Sequence, residues 1–387
     1  MRIALDARWI FPEISGIGAY TRDLARALAH ADSSNEYLLL FSDPAVRDRT
    51  LAETGLDAAP NVRAVAVPYG VFSPRSQLDL PVRLRRLGAD LYHAPNYMIP
   101  LCAFPRRRLG RIRCVTTIHD VIPMVFPQAA PRSRKARLYP LYRWIMREVG
   151  RRSDRIVTDS KASAADIVRH LRLDAALAAN LRVIPCGVGA RFRPAAARPP
   201  RAADRVRSVL YVGRFDPYKN VAVLIRAFAR ARAASPFPLR LTLAGAPDAR
   251  YPETRALVRE LGLGDAVAWT GYLSDAQLVT AYQGADVLAH PSRYEGFGLQ
   301  VLEAMACGVP VVCSNAASLP EVAGDAAILQ NPDDEKGFAQ AIARVLTDDA
   351  LAADLSSRGL RQAAQFTWER AARATLDVYR ELTPPGV

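Results

Sequence analysis

Two glutamates flank a glycine-rich turn in the run RYEGFGLQVLEAMACGVPVVCS at 293–314. Glu295 and Glu303 lie on either side of Gly296 and Gly298, which allow a tight backbone turn where a helix begins. The N–H groups at a helix start have no intrahelical acceptor and favour an anion. Such amides beside two carboxylates suit a ligand with both phosphate and sugar hydroxyls. The alternative is that Glu303 is a solvated residue on an ordinary βαβ helix.

Two cations follow another predicted strand of the same half of the chain. Arg214 and Lys219 lie on either side of Asp216 and Pro217. An arginine can grip phosphate oxygens as a fork and a lysine acts as a point charge, so the pair suits a diphosphate. A surface turn with ordinary charges is the alternative. The acidic glycine turn in the same half favours the diphosphate.

A histidine follows a third apolar run, CVTTIHD at 114–120. The run predicts a strand, and ligands of an open α/β sheet gather at the carboxyl ends of its strands. His119 is therefore a candidate catalytic residue. The alternative is that it caps its strand and packs against the loop that ends at Pro123.

The elements that must position these residues form two similar series. In the first, a strand at 2–5 leads through Gly16 and Gly18 to a helix at about 19–29, and further strands are predicted at 37–41, 62–67, 90–93, 114–120, 155–160 and 181–185. This is the opening of a Rossmann-like unit. No third glycine follows, and no acidic residue ends a second strand where a dinucleotide site needs it, so NAD is disfavoured.

The second series repeats the pattern after a stretch at 194–204 that is rich in Ala, Pro and Arg and that predicts a linker. It contains a strand after Arg207, helices at 221–233 and 299–306, and strands at 240–244, 266–270, 286–290 and 309–313. Gly308 is predicted as a left-handed helix cap, and Pro310 prevents the helix from continuing. The chain ends in a helix at about 368–382. The pattern indicates two α/β domains, at 1–193 and 205–365.

Composition excludes several classes of protein. The 387 residues suffice for two domains with cores of their own. No apolar run of about 18 residues predicts a membrane span, and early charges argue against a secretory signal. The five cysteines are odd in number and lack a CxxC pair, so we expect reduced thiols in a cytoplasmic protein, with neither disulfides nor a zinc site.

The net charge of +14 is concentrated in the first half, where residues 1–190 carry 29 Lys and Arg against 17 Asp and Glu. The segments 106–113 and 131–155 are strongly basic, and the second also carries Tyr139, Tyr142 and Trp144. Together they could form a face that rests on anionic lipid headgroups. The alternative is a solvated helix with its aromatic side in the core. Nucleic acid is disfavoured because no recognised binding motif accompanies the charge.

Taken together, these motifs resemble the retaining GT-B glycosyltransferases of family 4 over nearly the whole chain. The matching segments are Gly16–Gly18, Ile118–Asp120, Gly213–Arg214 with Lys219–Asn220, Gly271–Leu273, Ser318–Gly324, and Glu295 with seven residues before Glu303 (the EX7E signature). One position departs from the family: Ser15 stands where many members have the first glycine of Gly-Gly-x-Gly.

The resemblance implies an α/β protein with two facing Rossmann-like domains, an interdomain cleft that closes for catalysis, and a final helix (366–387) that returns to the first domain. It implies a nucleotide-sugar donor held mainly by the second domain, with no cofactor and no metal. Its diphosphate would be bound by Arg214 and Lys219 with amides near Gly16. The base would meet Gly271, Tyr272 and Leu273.

For the sugars, the resemblance gives roles to both glutamates. Glu303 would accept the ribose hydroxyls, while the transferred sugar would be held by Glu295 and the backbone at Gly296, Phe297, Gly298 and Leu299. His119 and Glu295 would be the catalytic residues, with His119 beside the donor sugar and acceptor, donating to a sugar hydroxyl or assisting the transition state.

Three further segments, IALDAR at 3–8, HAPNY at 93–97 and HDVIP at 119–123, are most similar to bacterial mannosyltransferases of surface-polysaccharide (O-antigen) assembly. This similarity implies GDP-mannose as donor, a lipid-linked or oligosaccharide acceptor, and a location on the inner face of the cytoplasmic membrane. The alternatives are a transferase or epimerase that uses a UDP-sugar, a sugar phosphorylase, or a non-catalytic protein that binds sugar nucleotides.

Overall fold

The computed structural model describes residues 1–107, 109–127, 138–196, 205–246 and 249–382. The chain forms two compact units. The first contains the described residues up to 125, those from 138 to 187, and those from 367 to 382. The second contains residues 126–127 and the described residues from 188 to 366.

The first unit is built on a parallel sheet. Its strands are β1 (Arg2–Leu5), β2 (Glu36–Phe41), β3 (Val62–Ala66), β4 (Leu91–Ala94), β5 (Arg113–Thr117), β6 (Arg155–Thr158) and β7 (Leu181–Val183). They lie in the order β3-β2-β1-β4-β5-β6-β7, with Ile3 of β1 opposite Tyr37 on one side and Leu91 on the other. The strand order reverses between β1 and β4, which is where a doubly wound sheet binds its ligand.

Helices cover this sheet and bury its apolar strands. They are α1 (Gly16–Ala31), α2 (Pro44–Thr54), α3 (Arg75–Leu78), α4 (Leu80–Arg86), α5 (Ile122–Val125), α6 (Tyr139–Arg152), α7 (Lys161–Leu171) and α8 (Ala175–Ala178). The strands read as short apolar runs because both faces are covered. Ala4, Leu38, Tyr92, Cys114 and Ile156 are fully buried in the same core.

The second unit repeats this plan. Its strands β8 (Arg207–Val212), β9 (Leu239–Ala244), β10 (Val267–Gly271), β11 (Val287–His290), β12 (Val311–Ser314) and β13 (Ala327–Gln330) form a parallel sheet in the order β10-β9-β8-β11-β12-β13. Its helices are α9 (Val221–Ala233), α10 (Glu253–Glu260), α11 (Asp275–Gln283), α12 (Leu299–Ala306), α13 (Leu319–Ala323), α14 (Glu335–Thr347) and α15 (Asp349–Ala363). The order reverses between β8 and β11.

The last helix, α16 (Trp368–Arg380), belongs to the first unit. The Tyr379 hydroxyl lies 2.6 Å from Nδ1 of His93 at the end of β4, and the ring of Trp368 meets that of Tyr20 on α1. The change between units falls between Gly187 and Val188, before the predicted linker at 194–204, because Val188 already donates its N–H to the Phe366 carbonyl. Residues 197–204 of that linker lie outside the described residues.

Several predicted boundaries were wrong by a few residues. Helix α1 begins at Gly16 instead of Ala19, because the Ser15 hydroxyl caps it by accepting the Gly18 N–H. Strand β12 begins at Val311 instead of Val309, because the Val309 N–H bonds the Ala304 carbonyl behind it and Pro310 has no N–H. Strand β5 stops at Thr117, and the helix predicted to reach 382 ends at Arg380.

Candidate active site

The Lys219–Glu295 ion pair is the centre of the polar cluster in the second unit. Lys219 ends a turn of 3-10 helix after β8, and Glu295 lies in the loop after β11. The ammonium Nζ is 2.7 Å from each carboxylate oxygen of Glu295. Both side chains are more than nine-tenths buried. Because β8 and β11 are the neighbours at which the strand order reverses, the pair lies where such a sheet binds its ligand.

His290, the last residue of β11, completes this cluster. Its Nε2 is 2.7 Å from Oε1 of Glu295, and its ring stacks on that of Tyr211 from β8. Burial opposes the charge on Glu295, but Lys219 and His290 outweigh burial and lower the pKa of the carboxyl to about 2. Glu295 is therefore ionised at any physiological pH.

Arg214 lies in the same turn as Lys219 but faces solvent, with 66% of its side chain exposed. Its Nε is 2.8 Å from Asp216, and its carbonyl accepts the hydroxyl of buried Tyr211 at 2.5 Å. A Cβ on Gly245 would lie 2.0 Å from the Gly213 carbonyl oxygen. Only glycine at 245 therefore allows the turn that carries Arg214 to approach β9 this closely.

The glycine turn before α12 has the geometry that its sequence predicts. Gly298 has φ +105°, and a Cβ there would meet the Leu319 side chain at 2.7 Å. The Ser318 hydroxyl lies 2.9 and 2.8 Å from the carbonyls of Glu295 and Phe297 and fixes the turn. The first N–H groups of α12, at Leu299 and the residue after it, have no intrahelical acceptor and suit an oxygen-rich ligand.

The remaining predicted residues of the second unit lie farther along the same sheet edge. Glu303 is half-buried on α12 and accepts the Tyr282 hydroxyl at 2.7 Å. Gly271 ends β10 and Tyr272 and Leu273 follow it; β9 and β8 separate β10 from β11. Gly271 has φ +72° and accepts the Gly245 N–H at 3.1 Å. The Tyr272 side chain is exposed.

His119 lies two residues after β5, which ends at Thr117, in the first unit. Its Nδ1 is 2.5 Å from Oδ2 of Asp159 and its Nε2 is 2.9 Å from the Pro95 carbonyl oxygen. Asp159 follows β6 and Pro95 follows β4, so three strand ends meet at one imidazole. Burial opposes its charge, but Asp159 and then Asp120 outweigh burial and raise the pKa of His119.

Gly16 begins α1, the helix that packs against His119. Gly16 is the first residue of the helix, and Tyr20, one turn later, sets its ring edge against the His119 ring with centroids 4.6 Å apart. No atom lies within 4 Å of a Cβ placed on Gly16. Its N–H belongs to the first turn of α1, where amides have no intrahelical acceptor.

Two members of these clusters, His290 and Asp159, were not among the residues predicted from the sequence. Each is a polar residue at the carboxyl end of a buried strand. That position was the signal that singled out His119, and it applies equally to these two. In the part of the chain that the structure describes, no group of three or more His, Cys, Asp or Glu is arranged to hold a metal ion.

The five cysteines are unpaired, and all but Cys102 are buried. None of the helices that the structure describes is both long and apolar enough to cross a bilayer.

Comparison with known proteins identifies the family. The model of glycosyl transferases group 1 matches residues 193–362, and the model of glycosyltransferase family 4 matches residues 14–192. The chain has two α/β units, each built on a parallel sheet, and each matches a glycosyltransferase model. It is therefore a glycosyltransferase of the GT-B fold. The chain belongs to glycosyltransferase family 4, and the fold and family predicted from its sequence are confirmed.

Individual relatives support the same assignment. O-antigen chain mannosyltransferase B of Escherichia coli is 30% identical over 99% of this chain and 100% of its own. MMP alpha-(1->4)-mannosyltransferase of Mycolicibacterium hassiacum is 29% identical over 98% of each chain. Among solved structures, sucrose-phosphate synthase of Thermosynechococcus elongatus superposes with a TM-score of 0.78 at 26% identity, over 99% of each chain.

Proposed function

We propose that this glycosyltransferase is a retaining, metal-independent hexosyltransferase that moves mannose from GDP-mannose to a lipid-linked or oligosaccharide acceptor during synthesis of a surface polysaccharide. The observation that carries the proposal is the buried Lys219–Glu295–His290 cluster at the point where the strand order of the second sheet reverses. It combines a cation for the diphosphate with a carboxylate for sugar hydroxyls.

The hydrogen-bonding capacity of Lys219 and Glu295 is not used up within the cluster. An ammonium has three N–H groups and a carboxylate about four lone pairs. Lys219 directs two N–H groups to Glu295, whose oxygens also meet His290, and the described residues present no further hydrogen bond to either group. One N–H is thus available to a phosphate oxygen and one lone pair to a sugar hydroxyl. Arg214, exposed nearby, adds a second cation for the diphosphate.

In the proposed reaction, the bond between the sugar and the diphosphate breaks as the acceptor oxygen bonds the same face of the sugar carbon. The acceptor proton passes to the leaving phosphate. Lys219, Arg214 and the amides near Gly16 stabilise the negative charge that grows on the diphosphate. Glu303 binds the ribose, Gly271–Leu273 meet the base, and Glu295 and the turn to Leu299 bind the transferred sugar.

The experiment is transfer from GDP-mannose, UDP-glucose and ADP-glucose to a lipid-linked saccharide, with EDTA present, and NMR of the new anomeric centre. We expect GDP-mannose to be preferred and the anomeric configuration to be kept. Glu295→Ala should lose transfer, whereas Glu335→Ala, which removes a carboxylate on α14 of the same unit that is 25% exposed, should keep it. An EDTA-sensitive reaction, inversion, or full activity of Glu295→Ala would each contradict the proposal.

Two other outcomes would identify the alternatives. Conversion of a UDP-sugar without any acceptor would indicate an epimerase. Binding of a sugar nucleotide with no turnover under any condition would indicate a non-catalytic binding protein. The mannosyl specificity is supported by the names of the two mannosyltransferase relatives.

We also propose that the first unit rests on an anionic membrane surface through α6. Leu138, just before the helix, and Leu141 and Trp144 within it are 58%, 49% and 50% exposed and recur every three residues, so they form one apolar stripe. Arg143 and Arg147 lie beside it. Burial and then the neighbouring cations Arg172, Arg143 and Arg151 lower the pKa of Arg147.

An apolar stripe edged by arginines is the pattern of a helix that lies in a lipid interface. The preceding basic residues 131–137 lie outside the described residues. Flotation with liposomes of phosphatidylglycerol at low and high salt tests the proposal. Trp144→Gln should reduce binding several-fold, and Val206→Gln, an equally exposed apolar site in the second unit, should not. Equal binding to neutral liposomes, or none at low salt, would exclude docking by charge.

A further inference from the structure

Both ring nitrogens of His119 face oxygen atoms that cannot donate a hydrogen bond. Nδ1 is 2.5 Å from the Asp159 carboxylate and Nε2 is 2.9 Å from the Pro95 carbonyl oxygen. An ionised carboxylate and a peptide carbonyl only accept hydrogen bonds, and a neutral imidazole has one nitrogen that donates and one that accepts. Two acceptors at one ring therefore require two N–H groups, which is the imidazolium form.

A second histidine, His93, has hydroxyl groups at both of its ring nitrogens. His93, fully buried at the end of β4, has Nδ1 2.6 Å from the Tyr379 hydroxyl and Nε2 2.9 Å from the Thr117 hydroxyl. Hydroxyls can donate or accept, so both contacts are compatible with a neutral ring. Burial and the charge of His119 lower the pKa of His93 to about 3. The hydrogen-bond partners therefore indicate a charged ring for His119 and a neutral ring for His93.

The other groups around His119 are compatible with a charged imidazolium. Tyr20 packs its ring edge on the imidazole and holds its hydroxyl 3.1 Å from Thr117. Burial raises the pKa of Tyr20, and burial with Asp159 raises that of the Cys186 thiol, so both stay neutral. The carboxylate of Asp120 adds to the field that favours a cation. The His119 side chain is only 14% exposed, which limits competition from water.

We propose that Asp159 is a positioning residue that holds His119 as an imidazolium, so that His119 acts in transfer as a fixed cation and never as the proton acceptor. The role in transfer rests on the proposed function. With no lone pair on either nitrogen, His119 cannot take the acceptor's proton, which leaves the leaving phosphate to receive it. Because Asp159 balances its charge, the ion pair does not repel the positive charge that develops on the sugar ring.

The proposal fixes the sign of the pH dependence. Protonated His119 is the active form, and its pKa lies above the usual range for histidine. Activity should therefore persist through neutral pH and fall only as the pH rises through the raised pKa. A histidine that worked as a base would give the reverse, with activity increasing as the pH rises.

The test combines a titration that needs no substrate with a rate profile. The chain has five histidines, so 15N spectra of the imidazole nitrogens, assigned with His119→Gln, can report the charge of His119 against pH. We expect a doubly protonated ring at pH 7. In Asp159→Asn, the titration and the alkaline limb of kcat should both move about 1–3 pH units lower, with KM for the donor nearly unchanged.

Asp154→Asn is the matched control. Asp154 is a buried carboxylate at the other end of β6 and accepts the Cys114 N–H at 2.7 Å, so its loss should leave the His119 titration in place. A neutral His119 beside a protonated Asp159 at pH 7 would overturn the charge assignment, even if Asp159→Asn proved too unstable to study. An unmoved rate profile in folded Asp159→Asn would overturn the positioning role. An imidazolium in a chain that transfers no sugar would instead sink the proposed function and, with it, the catalytic role.

Discussion

At the scale of single residues, the second unit contains a charge pair that is nearly removed from water. Lys219 and Glu295 have side chains only 9% and 8% exposed. Taking two charges out of water costs several kcal/mol for each ion, and the short contacts with Glu295 offset that cost. Loss of one partner leaves the other charge buried and unpaired. The pair is therefore sensitive to any change that removes one charge alone.

We predict that Glu295→Gln destabilises the second unit by about 3–5 kcal/mol, because it leaves the Lys219 ammonium buried without a counter-charge. Hydrogen exchange of β8 and β11 measures the change. Glu335→Gln, which breaks a pair with the largely exposed Arg230, should cost about 1 kcal/mol or less. Equal losses in the two variants would mean that burial of the Lys219 pair has no energetic consequence.

The same pair predicts a pH dependence. The pKa of Glu295 is near 4.5 without the fold and about 2 within it, so the ionised form stabilises the fold above pH 4.5 and this contribution is lost as the pH falls towards 2. The stability difference between wild type and Glu295→Gln should be constant between pH 6 and 8 and should narrow below about pH 5. Hydrogen exchange in acidic buffers would detect this, and a difference that widens in acid would refute it.

At the scale of elements, the entry into α12 depends on one glycine. Gly298 combines φ +105° with a Cβ position 2.7 Å from Leu319. We predict that Gly298→Ala destabilises the second unit by about 1–3 kcal/mol and lowers the affinity for the donor. Thermal unfolding and donor titration measure the two effects.

Gly16→Ala provides the comparison for Gly298→Ala. Gly16 also begins a helix, but no atom lies near its Cβ position, so stability should be unchanged or slightly increased. If the donor diphosphate approaches the Gly16 amide closely, the added methyl should raise KM for the donor at unchanged stability. A Gly298→Ala chain as stable as Gly16→Ala would show that the turn is more adaptable than its geometry indicates.

Elements governed by local rules were predictable from the sequence. Helices α9 and α12 have the predicted bounds, and Gly308 caps α12 with φ +69°, because helix formers, glycine and proline act within a few residues of each other. Strand β13, at Ala327–Gln330, was missed: it lies at the edge of the sheet and is half-buried throughout, unlike the fully buried strands that were predicted.

Side-chain partners were not predictable in the same way. Glu295 and Lys219 were both proposed as ligand-binding residues, but their ion pair joins positions 76 residues apart and exists only because β8 and β11 are neighbours. His290 and Asp159 also lie at the ends of buried strands, but their partners, Glu295 and His119, come from other segments of the chain. The sequence marks a polar residue at a strand end, whereas the identity of its partner depends on the strand order.

At the scale of the whole molecule, the first unit is built from both ends of the chain. Arg155 and Arg182 of its sheet bind Glu381, just after α16, at 2.7 and 2.8 Å, and Arg113 bonds the Leu382 carbonyl. Gly187 lies against the start of α16, because a Cβ on Gly187 would lie 2.3 Å from the backbone nitrogen of Trp368. The last helix is therefore a structural part of the first unit.

We predict that Gly187→Ala destabilises the first unit by several kcal/mol, because backbone atoms, which cannot rotate away, occupy the position of the new methyl. Hydrogen exchange should increase in β4, β5 and α16. Gly264→Ala, where no atom lies within 4 Å, is the control and should unfold like wild type. A Gly187→Ala chain with wild-type exchange would show that α16 can shift without cost.

Removal of α16 is the stronger test. A chain that ends at Phe366 loses the buried side chains Trp368, Leu376, Val378, Tyr379 and Leu382. At about 1.5–3 kcal/mol for each large side chain, the loss is comparable to the whole stability of a domain, about 5–15 kcal/mol. We predict that β1, β4 and β5 of the truncated chain exchange their amide hydrogens rapidly while β8 and β11 stay protected. Protection of β4 in that chain would contradict the assignment of α16 to the first core, whereas loss of protection in both units would mean that the second unit depends on the first for its stability.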